Sequence, residues 1–202
     1  MLVFAGSAAV ILYVYLGYPL LVFLLSRIRP RAVKKHAIEP SVSLIITAYN
    51  EEAAIRGKLA NTLLLDYPPE KIEVIVVSDC SSDRTDDIVK EFSNSGIKLV
   101  KQEHRGGKTS AQNLAVEHAS GEILVFSDAT SMYQVNVLRE VVANFADASV
   151  GCVAGKLIYV DPAKSNIGSA AKSYWGYETA LKTSESLVCS LIGVSGCLYA
   201  VR

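Results

Sequence analysis

The sequence predicts an α/β fold, a mainly parallel sheet with flanking helices, preceded by one membrane-crossing helix. Three observations carry this reading. Positions 1–26 hold no charged side chain. Four short runs rich in Val, Ile and Leu, at 43–47, 72–78, 97–101 and 122–127, each end in a polar residue. Between them lie stretches with apolar residues at helical spacing. Strand and helix in alternation require right-handed crossovers, and these build a parallel sheet covered on both faces.

The apolar stretch 1–26 exceeds the roughly 20 residues needed to cross a bilayer. A cleaved signal peptide carries its positive charge before the apolar run, whereas Arg27, Arg29, Arg31, Lys34 and Lys35 follow it here. The segment therefore reads as a retained span whose basic flank, and the chain beyond, stay on the cytosolic side of the cell membrane. Tyr13, Tyr15 and Tyr18 suit an interface, and Pro19 is tolerated where neighbouring groups satisfy the freed carbonyl. Residues 27–41 read as a basic linker lying along an anionic membrane surface. Residues 42–202 then form one domain, a length that suits a single core.

Lys and Arg number 20 and Asp and Glu number 20, so overall charge gives no argument for a nucleic-acid partner. The cysteines Cys80, Cys152, Cys189 and Cys197 are scattered without metal-type spacing and read as buried, reduced thiols.

In the soluble part, Ile55, Leu59 and Leu63 mark the apolar face of a first helix, which Asp66, Pro68 and Pro69 end. Ile88, Val89 and Phe92 mark a second, with Gly96 placed to terminate it. A third carries Ala111, Leu114, Ala115 and Ala119, and a fourth Val137, Leu138, Val141, Val142 and Phe145. The stretch 186–201 is apolar, but Ser190, Gly193, Ser195 and Gly196 make it strand and loop instead of a second span.

Ligands of such sheets bind outside the carboxyl ends of the strands. After the first strand, Thr47, Tyr49, Asn50, Glu51 and Glu52 offer an aromatic face and hydrogen bonds for a base. An equal reading has Asn50 cap the next helix while Glu51 and Glu52 complement its dipole. After the second, Asp79 can accept from a base N–H or a ribose hydroxyl, while Ser82 or Asp83 caps a helix. After the third, Gly106, Gly107 and Lys108 form a glycine turn with backbone N–H groups and a cation for an anion. It is no P-loop, because the required earlier glycine is Gln102, and His104 beside it reads as solvated. After the fourth, Asp128 leaves an apolar strand as a ligand for ribose or a hard divalent metal, or as a helix cap.

Together, Thr-Ala-Tyr-Asn-Glu at 47–51, Ser-Asp-Cys-Ser-Ser-Asp at 78–83, Gly-Gly-Lys-Thr-Ser-Ala-Gln-Asn at 106–113 and Ser-Asp-Ala-Thr at 127–130 resemble the family 2 glycosyltransferases. With the span ending in Gly-Tyr-Pro-Leu-Leu at 17–21, the likeness is to the membrane-bound polysaccharide synthases. The resemblance implies a GT-A fold, a nucleotide-sugar donor (a UDP-hexose or UDP-N-acetylhexosamine), and inverting transfer to a glycan or lipid-linked acceptor. By position it implies that Thr47, Tyr49, Glu51 and Asp79 hold the nucleoside, with Lys108 close by. Asp128 would then be the first acid of the family's Asp-X-Asp motif, ligating Mg2+ or Mn2+. Thr130 stands where the second aspartate belongs, and a neutral hydroxyl is the weaker ligand for a hard cation.

The segment 194–202 looks like the family's strand before the acceptor site, its small residues leaving room beside the sugar; Tyr174, Trp175, Tyr177 and Glu178 fall where the family contacts acceptor or sugar. The family's catalytic base, an aspartate, its Gln-Arg-Trp acceptor motif and its further spans fall beyond Arg202. The chain as given is thus expected to bind donor but turn over poorly. A membrane-tethered binding or scaffold protein without catalysis is the rival that Thr130 motivates. A receiver-like signalling domain, suggested by Asp79 alone, lacks its acidic partners after the first strand.

Overall fold

A computed structural model describes residues 1–158, 166–191 and 193–202. They divide into two compact units, Met1–Ala32 with Lys156–Val194, and Val33–Gly155 with Ser195–Arg202.

The first unit begins with α1 (Leu2–Leu12), a π-helical turn at Tyr13–Gly17 and α2 (Tyr18–Ile28), which follow one another without a break. Pro19 explains the widened turn. It brings no N–H to the helix, and one residue earlier the Tyr18 N–H bonds to the Tyr13 carbonyl, five residues back. The stretch Val3–Ile28, 26 residues, is long and apolar enough to cross a membrane.

The second unit holds β1 (Val42–Ala48), α3 (Ile55–Leu63), β2 (Ile72–Ser78), α4 (Thr85–Glu91), β3 (Ile97–Lys101), α5 (Lys108–Glu117), β4 (Ile123–Asp128), α6 (Val137–Val142), β5 (Cys152–Ala154) and, near the C-terminus, β6 (Leu198–Val201). The strands form one sheet in the order β3-β2-β1-β4-β6-β5. The first four pair in parallel, as the alternating sequence requires. β6, however, runs antiparallel to both β4 and β5, so the sheet is mixed.

Both faces of the sheet are covered, which is why its strands read as unbroken apolar runs. Leu44, Ile46, Val76 and Val125 pack with Ile55, Leu59, Val89, Leu138 and Val142 on one face. Ile45, Ile75, Val77 and Phe126 pack with Ala111 and Ala115 of α5 on the other. At the amino end of the strands Glu73 joins three segments. It accepts from Ser43 Oγ and Ser120 N, both at 2.5 Å, from Ser120 Oγ at 2.8 Å and from Lys98 Nζ at 2.9 Å. Burial pushes its pKa up, but these donors outweigh burial and hold it down at about 2.

Three expectations are corrected here, and one further element is found. On α3 the buried residues are Ile55, Lys58, Leu59 and Thr62, while Leu63 is exposed. Cys80, Cys152 and Cys189 are exposed, with Cys197 partly so, although all four are free thiols. The linker's first two residues, Arg27 and Ile28, belong to the end of α2, and the rest lacks helix and strand but is docked: Ile38 packs on the core, and Tyr67 Oη donates to the Pro40 carbonyl at 2.6 Å. Finally, in the first unit a long helix, α7 (Asn166–Val188), packs against α2, with Tyr18 Oη donating to Glu185 at 2.7 Å. Its apolar stripe is too weak to read from sequence. Tyr174, Trp175, Tyr177 and Glu178 lie on α7.

Candidate active site

From β1 the chain crosses to β2 and β3 on one side, then returns to place β4 on the other side of β1. The reversal opens a crevice at the carboxyl ends of β1 and β4, the place where open α/β sheets bind ligands. There Thr47 lies in register with Asp128, and its Oγ1 donates to the Ser127 carbonyl at 3.4 Å.

The loops after β1 and β2 are laced to each other. Asn50, at φ 52°, takes the Ser82 N–H on its side-chain oxygen at 2.8 Å, and the Asn50 N–H reaches Ser81 Oγ at 3.1 Å. The Glu51 N–H donates to Thr85 Oγ1 at 2.7 Å, the Glu52 N–H to Asp83 Oδ2 at 3.0 Å, and the Arg84 N–H back to Glu52 Oε2 at 3.1 Å. Asn50 therefore bridges two loops and is no cap for α3, which has no side-chain cap. Asp83 does serve the start of α4, accepting the Thr85 N–H at 3.0 Å.

Asp79, 5% exposed, sits beneath this lacing. Its two oxygens accept the N–H groups of Gly106 at 2.8 Å and Gly107 at 2.9 Å. The glycine turn after β3 thus does bind an anion, but the anion is the protein's own carboxylate. Gly107, at φ 82°, takes the left-handed conformation that lets the turn fold over Asp79. The same turn lays the Arg105 guanidinium 4.0 Å above the exposed ring of Tyr49. Arg105 covers the face expected to stack on a base, and the spacing of the sequence gave no sign of it.

Lys108, first residue of α5, reaches across the crevice. Its ammonium bonds the Asp128 carboxylate and donates to the Gly196 carbonyl at 3.2 Å. A β-carbon on Gly196 would stand 2.8 Å from Lys108 Nζ, so the room left by that glycine is filled by the lysine. The side chains of Lys108 and Asp128 keep 43% and 35% of their exposure, leaving the pair open to solvent. Thr130 is exposed two residues on.

Beneath Asp128 the loop 129–133 is held from α3. Lys58, 0% exposed, donates to the Ser131 carbonyl at 2.5 Å and lies 3.5 Å from the centre of the Tyr133 ring. Asn61 clasps the Tyr133 backbone with its side-chain amide, Oδ1 accepting the Tyr133 N–H at 2.8 Å and Nδ2 donating to the Tyr133 carbonyl at 2.9 Å. Tyr133 Oη contacts Ser127 Oγ at 2.5 Å and donates to the Cys197 carbonyl at 2.8 Å. Burial pushes the Lys58 ammonium down to about 7, against the pull of the Asp128 charge.

Among the described residues no group of three or more His, Cys, Asp or Glu side chains could enclose a metal ion. Asp128 offers one carboxylate, about a third exposed and paired with the Lys108 ammonium, with the exposed Thr130 two residues on. That donor set fits a hard divalent cation held by one carboxylate plus substrate phosphates, the usual mode of Mg2+.

The model of glycosyl transferase family 2 matches residues 43–197. The chain belongs to that family. The chain is 39% identical over 132 residues to the probable glycosyltransferase YdaM of Bacillus subtilis, covering 62% of the chain and 31% of the relative. It is 31% identical over 153 residues to a beta-monoglucosyldiacylglycerol synthase of Trichormus variabilis, covering 73% of the chain and 31% of the synthase. The chain therefore spans about a third of the length of these curated relatives. Among solved structures, the mannosyltransferase PcManGT from Pyrobaculum calidifontis, in complex with GDP-Man and Mn2+, superposes with a TM-score of 0.80 at 29% identity. That likeness covers 96% of the chain and 55% of PcManGT. S. aureus TarS 1–349 in complex with UDP-GlcNAc superposes at 0.56 and 28%, covering 62% of the chain and 36% of that TarS chain. The mixed sheet with flanking helices is thus the GT-A fold.

Proposed function

We propose that the chain is the donor-binding part of a membrane-bound inverting glycosyltransferase of the polysaccharide-synthase type. It moves a sugar from a nucleotide-sugar to a glycan or lipid-linked acceptor at the cytosolic membrane face. The observation that carries this is the meeting of Asp128, Lys108 and Thr47 at the switch point between β1 and β4, beside the laced loops that hold Tyr49, Glu51 and Asp79.

In this reading the base stacks beside the Tyr49 and Arg105 pair, a stacked cation and ring being a ready platform for a planar group. Thr47, Glu51 and Asp79 orient the nucleoside, Asp79 acting partly through the glycine turn that it fixes. Asp128, with Thr130 as the weaker neighbour, holds Mg2+ or Mn2+ together with the diphosphate. When bound, that cation neutralises the charge that develops on the leaving diphosphate. Lys108 adds a second positive charge at the same end of the crevice. Attack by the acceptor hydroxyl calls for a base within hydrogen-bond reach, and the residues named here supply none. The apolar helix with its basic flank supports a tether that keeps this machinery at the bilayer surface.

UDP-hexoses and UDP-N-acetylhexosamines are the donors the family resemblance favours. The likeness to PcManGT across 96% of the chain favours a second reading, GDP-mannose. Calorimetric titration of the full chain in detergent with UDP-glucose, UDP-N-acetylglucosamine and GDP-mannose, with Mn2+ or chelator, tests the proposal. Saturable binding of one donor class, strengthened by Mn2+ and lost in Asp79→Ala and Asp128→Ala, is expected. A folded chain that binds none of them contradicts it and leaves a scaffold role.

A further inference from the structure

We propose that Lys58 is a positioning residue for the metal and diphosphate end of the donor site, holding the loop 129–133 so that Asp128 and Thr130 face the crevice together; this rests on the donor-site reading above.

A lysine with 0% exposure is unusual, because an ammonium loses its hydration on burial and has to regain it from fixed partners. Lys58 finds two, both in the loop that follows Asp128: the Ser131 carbonyl at 2.5 Å and the face of Tyr133 at 3.5 Å. It has no salt bridge among the described residues, and Asp128 is the acid whose charge reaches it. An uncharged residue would fill the same space under α3 at lower cost. What the Lys58 Nζ does that an apolar side chain would not is hold a backbone carbonyl and an aromatic ring at once.

The surroundings show what this achieves. Asn61, one turn further along α3, clasps the Tyr133 backbone, and Tyr133 Oη ties the loop to Ser127 and to Cys197. Lys58 fixes Ser131, the residue next to Thr130. The loop is thus pinned at 131 and 133 by one helix, with Thr130 exposed just before the first pin. A site with one carboxylate, in which the second oxygen ligand is a neutral hydroxyl, depends more on the placement of that hydroxyl than a site with two carboxylates does.

The test separates metal from nucleotide. UDP and GDP are titrated into the full chain, its Lys58→Met variant and its Tyr133→Leu variant, each with and without Mn2+. Nucleotide binding without metal should be the same in all three, since the base and ribose contacts lie on other loops. The gain from Mn2+ should fall about tenfold or more in both variants, the effect typical of losing a partner that orients metal ligands. The double variant should lose no more than either single one, because both act on one loop. A role confined to stability would leave the Mn2+ gain intact or weaken metal-free binding equally, and either result overturns the inference. If Lys58→Met does not fold, Tyr133→Leu decides alone: an unchanged Mn2+ gain refutes the proposal. A parent chain that binds neither nucleotide instead refutes the donor-site reading.

Discussion

The carboxylate of Asp79 takes the Gly107 N–H at 2.9 Å, while its other oxygen takes the Gly106 N–H at 2.8 Å. One buried acid at the end of β2 thereby sets the course of the turn after β3, and with it the place of Arg105 over Tyr49 and of Lys108 at the start of α5.

Asp79→Asn tests that dependence. An amide presents one acceptor where the carboxylate presents two, so one N–H loses its partner in a buried setting. A loss of about 1–3 kcal/mol in unfolding free energy is expected by urea titration. Amide exchange at Gly106 or Gly107 should quicken as well, and unchanged protection of both would mean that the turn stands without Asp79.

Thr130→Asp should strengthen Mn2+ binding. It restores a second carboxylate for a hard cation and raises the charge of the ligand set, so about tenfold tighter binding in the presence of a nucleoside diphosphate is expected. Titration against a competing chelator measures it. No gain would mean that position 130 does not face the metal.

Lys108→Met should have opposite effects on two ligands. Lys108 competes with a cation for Asp128, so its removal should tighten binding of Mn2+ alone by about fivefold, the scale of a partly exposed ion pair. Binding of UDP or GDP should weaken, because a positive charge facing the diphosphate is gone. Electron paramagnetic resonance of free Mn2+ reads the first effect and calorimetry the second.

Much of the fold was legible because β1, β2 and β4 are buried on both faces and so appear as apolar runs. Strand β6 was also legible as an element, yet its antiparallel pairing with β4 joins residues about 75 positions apart, such as Phe126 and Tyr199, and no local pattern records that. Helix α7 was missed because its apolar residues do not form a clear stripe. At the site, Asp79, Asp128 and Lys108 stood out by their places after strands. Lys58 did not, because a lysine in an amphipathic helix reads as part of the wet face; its burial follows from the loop 129–133 folding over α3. Leu63 misled in the opposite sense, apolar but exposed.

Acid stability should depend on Glu73. Its pKa is lowered in the folded chain to about 2, from an ordinary value near 4.5, so its ionised form stabilises the fold. That contribution is complete above about pH 4.5 and is lost as pH falls through about 2. Glu73→Gln should remove about 2–3 kcal/mol at neutral pH and flatten the dependence of unfolding free energy on pH between 5 and 2. Parallel urea titrations at several pH values read both effects.

The most direct test of the account places the ligand in the fold. Mn2+ with UDP, and separately with GDP, is added to isotope-labelled full chain in micelles, and paramagnetic broadening of backbone amide signals is mapped. The donor site proposed between β1 and β4 predicts broadening at 107–108 and 129–131, reversed by chelator and absent in Asp128→Ala, with Gly96 and Gly121 at the opposite end of the strands unaffected. Broadening centred elsewhere, or equal in Asp128→Ala, would contradict the assignment of that crevice as the donor site.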